Sequence, residues 1–156
     1  MGKVKLTLFV ILATIVTVSA GFAAERNFQA KLTGNDELPS VKTNANGEVK
    51  FQLSIDGKEL SYQLNVKNIE NPTAAHIHRG MKGKSGPPVV NLFHGPKKEG
   101  KFSGDLARGT ITANDLAGDL IGRSLDDLVK LIKSGVTYVN VHTDANPDGE
   151  IRGQIK

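Results

Sequence analysis

Histidine is the residue type in this sequence that is best suited to binding a metal ion. The 156 residues contain four histidines and no cysteine. The lack of cysteine excludes thiolate zinc sites, iron–sulfur clusters, thiol nucleophiles and blue-copper centres that need a cysteine ligand. His76 and His78 flank Ile77. Because positions i and i+2 of a β-strand lie on the same side, we expect the two imidazoles to lie side by side while Ile77 faces the core.

A third histidine lies in a similar alternating segment near the end of the chain. Tyr138, Asn140 and His142 are predicted to share one strand face, and the valines between them face the core. If this strand meets the one that carries His76 and His78, three neutral imidazoles converge on an otherwise exposed sheet surface. Both Cu(II) and Zn(II) accept such a set of ligands without sulfur.

Two further interpretations accompany this prediction. His94, at the end of a predicted strand over residues 89–93, is a candidate fourth ligand. A His-x-His pair can also be a polar pair on a solvated face, and His142 can simply donate a hydrogen bond to a neighbouring loop. Spacing alone leaves the metal site and the solvated face both open.

The elements that must position these histidines are short alternating segments separated by Gly, Asn, Asp and Pro. They predict an all-β fold, an antiparallel sandwich or barrel of about eight strands. The clearest pair is a hairpin in which Val49, Phe51, Leu53 and Ile55 face the core before a turn at residues 56–57. A single helix is predicted near residues 124–133 from a Ser124/Asp127 capping box. The remaining predicted strands cover residues 60–66, 74–79, 89–93, 101–112, 136–142 and 150–155.

The first 24 residues have the pattern of a secretory signal peptide. Lys3 and Lys5 precede an uncharged apolar stretch at residues 6–18 and a small-residue segment at residues 19–24. The apolar stretch of about 13 residues falls short of the roughly 20 that span a bilayer, which favours cleavage over a retained membrane anchor. We therefore expect cleavage after Ala23 or Ala24, a domain over residues 25–156 with no membrane span, and a periplasmic or secreted location.

The charge of the chain argues against a nucleic-acid partner. The formal charge is +4 from 20 basic and 16 acidic residues, and loss of Lys3 and Lys5 leaves 18 against 16, or +2. Lys97, Lys98 and Lys101 form a basic segment with few aromatic residues nearby, which is typical of a solvated loop. A nucleophile elbow and a phosphate-binding loop are both absent from the sequence.

Residues 144–149 (DANPDG) match the first half of a calcium-binding loop. The twelfth position of that loop would be Ile155 instead of Glu, so a tight turn with positive φ at Gly149 is the better interpretation. Beside a metal site, Asp144 or Asn140 is expected to accept the second N–H of a ligating histidine.

A resemblance to a known family rests on several segments of the mature chain. They are residues 28–32, 37–39, 75–80 (AHIHRG), 86–90 (GPPVV), 138–143 (YVNVHT) and 147–154 (PDGEIRGQ). With these segments the chain resembles the CHRD domain family over nearly its full mature length. The resemblance implies an immunoglobulin-like, Greek-key β-sandwich.

The family's histidine pattern is similar to that of copper–zinc superoxide dismutase, itself a Greek-key protein. By that resemblance His76, His78 and His142 lie where copper ligands would be. The expected function is therefore an exported CHRD-domain protein that binds copper, or else zinc. The alternatives are a metal-free domain that binds a protein or a cell-surface polymer and, more distantly, an enzyme of the superoxide-dismutase type. The absence of a cysteine pair and of a full zinc ligand set argues against that enzyme.

Overall fold

Alternation of apolar and polar residues produces eight antiparallel strands in residues 26–156, the part of the chain that the computed structural model describes. The predicted all-β sandwich is confirmed. The signal-peptide prediction for residues 1–24 lies outside the described residues. The strands are β1 (Asn27–Thr33), β2 (Asn46–Leu53), β3 (Leu60–Glu70), β4 (Pro72–Arg79), β5 (Pro88–His94), β6 (Lys101–Ile111), β7 (Thr137–Thr143) and β8 (Ile151–Gln154).

The strands form one sheet in the order β5-β4-β7-β8-β1-β2-β3-β6, which curls until its two ends approach each other. The Tyr62 hydroxyl on β3 donates to the Leu92 carbonyl on β5 at 2.7 Å and links the two halves. Asn71, in the left-handed region with φ 46°, is the corner at which the chain passes from β3 in one half to β4 in the other. The result is a nearly closed antiparallel sandwich whose order requires Greek-key crossings.

The core lies between the two halves and contains the inward-facing residues of each strand. Val49, Leu64, Ile77 and Val139 have no exposed surface, as the alternating pattern predicts. The prediction that Ile55 faces the core is wrong, because β2 ends at Leu53 and Ile55 is 91% exposed. The reason lies in the turn: the Ser54 and Asp56 side chains accept hydrogen bonds from residues 58–59, so the turn begins before Ile55.

Helix α1 (Leu125–Lys133) packs on the sandwich just before β7. Its N-terminus has the predicted capping box, in which the side chains of Ser124 and Asp127 each accept a hydrogen bond from the other's backbone N–H. Its buried residues are Leu125, Leu128, Val129 and Ile132. Among the described residues, no helix has the length and apolar character needed to cross a membrane.

Candidate metal centre

Two neighbouring strands, β4 and β7, bring three of the four histidines together. The antiparallel register places His76 opposite Asn140 and His142 opposite Ala74. Because His78 lies two residues after His76, all three imidazoles lie on the same side of the sheet. One ring nitrogen from each imidazole lies within 4.8 Å of the other two. The predicted meeting of these three side chains is therefore found in the structure.

His94 is not part of this group of nitrogens. It ends β5, where it is exposed and lies opposite Ala74, on the side of β4 away from β7. The group of potential ligands identified in the described residues contains His76, His78 and His142 only. The placement of His94 therefore gives no geometric support to its predicted role as a fourth ligand.

The histidines lie on a covered face, and the expectation of an exposed sheet surface is wrong. Tyr138 and Asn140, which share this face, are only 3% exposed, and the three histidines are half-buried. The Tyr138 hydroxyl accepts a hydrogen bond from the Gly86 N–H at 3.3 Å, and its ring stacks on His78 with centroids 4.9 Å apart. The segment before β5 and the turn before β8 therefore cover a strand face that the alternating pattern alone predicts to be solvated.

Two backbone carbonyls in these covering segments fix the tautomers of two histidines. His78 Nδ1 lies 2.8 Å from the Gly86 carbonyl oxygen, and His142 Nδ1 lies 2.8 Å from that of Pro147. A carbonyl oxygen can only accept a hydrogen bond, so each Nδ1 carries the proton and each Nε2 is unprotonated. His78 Nε2 is buried without a hydrogen-bond partner.

These carbonyls take the place that the sequence assigned to Asp144 or Asn140. The Asp144 carboxylate instead accepts a hydrogen bond from Lys97 Nζ at 2.7 Å. Asn140 Nδ2 donates to the Asp148 carbonyl oxygen at 3.4 Å, and its Oδ1 is buried without a hydrogen-bond partner. The sequence offered no signal for main-chain partners, because any residue can supply a carbonyl oxygen.

Glu150 holds the turn that presents the Pro147 carbonyl. Its buried carboxylate accepts hydrogen bonds from the Thr43 and Thr143 hydroxyls at 2.6 and 2.8 Å, and from Asn146 Nδ2 at 3.2 Å. Three donors on one carboxylate make the turn rigid. Glu150 is therefore a positioning residue for His142, acting through Pro147.

His76 forms a hydrogen bond with His142. His76 Nδ1 lies 3.0 Å from His142 Nε2. Since His142 already carries its proton on Nδ1, His76 Nδ1 donates to His142 Nε2. This bond joins the two strands directly at the point where the lone pairs converge.

Burial keeps all three imidazoles uncharged. It lowers the pKa of His76 to about 4, and the repulsion that a protonated His76 would meet from His142, His78 and His94 contributes less. Burial is also the main cause that lowers the pKa of His78 and of His142, and the hydrogen bonds to Gly86 and Pro147 oppose it. Neutral imidazole is the form that ligates a metal ion, so protons compete weakly for these nitrogens at neutral pH.

The fold and the histidine cluster define a small antiparallel β-sandwich with three converging imidazoles on one covered face. A family model for the CHRD domain matches residues 28–155, and the chain therefore belongs to the CHRD domain family. Chordin from Xenopus laevis is 28% identical over 150 residues, a match that spans 91% of this chain and 14% of chordin. No solved structure gives a significant match.

Proposed function

We propose that this CHRD-domain protein binds a single metal ion through His76, His78 and His142. The observation that supports the proposal is the convergence of three uncharged imidazoles whose ring nitrogens lie within 4.8 Å of one another. The tautomers favour it as well, because the protons of His78 and His142 point to carbonyl oxygens and each Nε2 is left unprotonated. Ligands held in this way need little reorganisation to receive an ion.

Copper is the preferred ion and zinc the alternative. For sites made of nitrogen ligands, affinity rises along the first-row divalent metals to Cu(II) and falls again at Zn(II). Neither ion needs a sulfur ligand, in keeping with a chain that has no cysteine. An ion that takes both His76 Nδ1 and His142 Nε2 as ligands displaces the proton between them, and the other ring nitrogen of His76 can receive it.

Calorimetric titration of untagged protein with Cu(II) and with Zn(II) tests the proposal. We expect one equivalent of metal to bind and to raise the melting temperature, since an ion that binds only the folded state stabilises it. A His76→Ala/His142→Ala variant should lose both effects, and the exposed His94→Ala substitution serves as the matched control. A wild-type protein without stoichiometric binding of either ion would contradict the proposal.

The 3.0 Å hydrogen bond between His76 and His142 favours a second function. It satisfies two ring nitrogens without any metal, as expected if the cluster only fastens β4 to β7. The domain would then be a non-catalytic module that binds another protein or a cell-surface polymer. Added metal or a chelator should leave the melting temperature of such a protein unchanged, and a pull-down that is equal for wild-type and His76→Ala/His142→Ala proteins would favour this role.

Export of the protein completes the proposal. The basic, apolar and small-residue order of residues 1–24 supports cleavage after Ala23 or Ala24 and a periplasmic or secreted location. Mass spectrometry of the mature N-terminus, with the cell fractions assayed separately, tests it. Recovery of an uncleaved chain from the cytoplasm would overturn this part of the proposal and leave the metal site unaffected.

A further inference from the structure

A second polar site lies one strand away from the histidines, over the outer side of β1 and β8. It is an open cavity of about 550 Å³, bounded by these strands, by residues 35–38 and by the turn at residues 82–83. Its lining contains four basic side chains, those of Lys31, Lys82, Arg152 and Lys156. The three lysines are exposed, whereas Arg152 is buried, with 3% of its surface exposed.

The contacts of Arg152 hold its guanidinium in place and leave part of its hydrogen-bonding capacity unused. Nη2 donates to the Lys84 carbonyl oxygen at 2.7 Å, and the guanidinium carbon lies 3.4 Å from the centroid of the Tyr138 ring. Stacking occupies a face of the planar group and leaves its in-plane N–H donors available. In residues 26–156 the Lys84 contact is the one hydrogen bond that this side chain makes, although Arg carries five donors.

Arg152 also lacks an ion-pair partner among the described residues. The ion pairs formed there involve other basic residues, and the acid next to this cavity, Glu37, acts on Arg152 only at longer range. Glu37 Oε1 is buried without a hydrogen-bond partner and lies towards Gly149. Burial raises the pKa of the Glu37 carboxyl, and the charge of Arg152 opposes this shift.

An unpaired buried cation is costly, because its solvation by water is lost without the compensation of a nearby anion. The stacking on Tyr138 offsets part of that cost. The remaining positive potential faces a cavity whose rim carries three more cations, against the acids Asp36 and Glu37. Such a cavity offers a fixed planar donor at its base and mobile charges at its edge, the combination that recognises an oxygen-bearing anion.

We propose that this cavity binds an oxyanion, that is a carboxylate, phosphate or sulfate group, through the free N–H donors of Arg152 and the charges of Lys31, Lys82 and Lys156. The site adjoins the histidine cluster through Tyr138, whose ring contacts both Arg152 and His78. Anion binding here requires no metal ion, so chelator-treated protein tests it apart from the metal proposal.

Calorimetric and thermal-shift titrations of chelator-treated protein test this site, with sulfate, phosphate and acetate as probes and chloride as the reference at equal ionic strength. We expect saturable binding of one anion per chain and a higher melting temperature. Lys31→Ala/Lys82→Ala should weaken binding at least about fivefold through loss of two rim charges. Lys58→Ala/Lys101→Ala is the matched control, because it removes the same charge from exposed positions outside the cavity.

Arg152→Lys tests the base of the cavity while preserving its charge. It should weaken binding at least about tenfold, because an ammonium cannot reproduce the planar donor edge of a guanidinium. Circular dichroism shows whether this variant folds, and the lysine pair decides the question if it does not. Preference for sulfate and phosphate over acetate would identify a dianionic ligand group, and the reverse order a carboxylate. Binding indistinguishable from chloride, or equal losses in both lysine double variants, would overturn the proposal.

Discussion

The covered face of β4 and β7 and the open face of the β2–β3 hairpin have the same alternating pattern but differ in the solvent exposure of their outward-facing residues. On β2, the outward-facing Lys50 and Gln52 are exposed to solvent. On β7, the outward-facing Tyr138 and Asn140 are almost fully buried. The difference comes from two segments, the chain before β5 and the turn between β7 and β8, which fold over one face and not over the other.

The comparison shows that a covering segment changes the chemistry of a polar strand face. On the open face, the outward-facing Lys50 and Gln52 side chains lie in solvent. On the covered face, the Gly86 and Pro147 carbonyls fix two imidazole tautomers, and burial keeps the histidines neutral. The proposed role of the histidines as metal ligands therefore depends on the cover as much as on the histidines themselves.

Loss of the cover at Gly86 should have the largest effect. A Cβ at this position would lie 1.7 Å from the Arg79 carbonyl oxygen, so Gly86→Ala must displace the segment that holds His78. We expect a loss of about 3 kcal/mol or more in the free energy of unfolding, measured by urea denaturation, together with weaker metal binding.

Gly57→Ala in the open hairpin is the control for this change. No atom lies within 4 Å of its Cβ position, and only the positive φ of 71° opposes the substitution. It should cost about 1 kcal/mol and leave metal binding intact. Equal losses for the two variants would show that the segment at Gly86 does not control the histidine face.

Acid should destabilise the metal-free protein through the covered histidines. The folded-state pKa of His76 is about 4, below its usual 6.5, so the unfolded chain takes up protons first as the pH falls. Stability is therefore retained above about pH 6.5 and lost down to about pH 4, at about 1.4 kcal/mol per pH unit for each proton taken up.

Urea denaturation at a series of pH values measures this slope. His76→Gln should flatten it, whereas His94→Gln, at an exposed position, should leave it nearly unchanged. The comparison between the two faces would fail if the slope were the same in all three proteins.

The carboxylate of Glu150, beneath the covering turn, should contribute more to the free energy of unfolding than that of Glu48 on the open face. Glu150→Gln replaces one acceptor oxygen with an amide and removes the acceptor either of Thr43 or of Thr143 and Asn146 together. We expect a loss of about 2 kcal/mol and weaker metal binding. Glu48→Gln, which removes an exposed ion pair with Lys50, should change the free energy of unfolding by less than about 0.5 kcal/mol. Chemical denaturation of both variants measures the difference, and equal changes would contradict the role of Glu150.

The smallest effect is expected at Asp144, on the outside of the same turn. Its ion pair with Lys97 is exposed at both ends, and exposed pairs contribute little. Asp144→Asn should change stability by about 0.5 kcal/mol or less and leave the affinity for metal unchanged in calorimetry. A marked loss of affinity would restore Asp144 as the group that orients His142.

The local patterns of the sequence predicted much of the framework. Alternation located the strands and placed Ile77 and Val139 in the core, and the Ser124/Asp127 capping box located the helix. These features depend on neighbours within a few residues, so a single sequence is enough to predict them. The error at Ile55 arose where side-chain hydrogen bonds in the turn outweighed the alternating pattern.

By itself, then, the sequence determined that His76 and His78 share a strand face and that His142 faces away from the core. Only the tertiary structure decided that β4 lies beside β7, that His94 stays outside the group and that the face is covered. It also decided that Arg152 is buried without an ion pair. Strand order and cover result from the closure of a common core by residues far apart in the chain. Main-chain carbonyl acceptors cannot be predicted from residue type, because every residue has one. The period of a strand is local, whereas the environment of each side chain belongs to the whole fold.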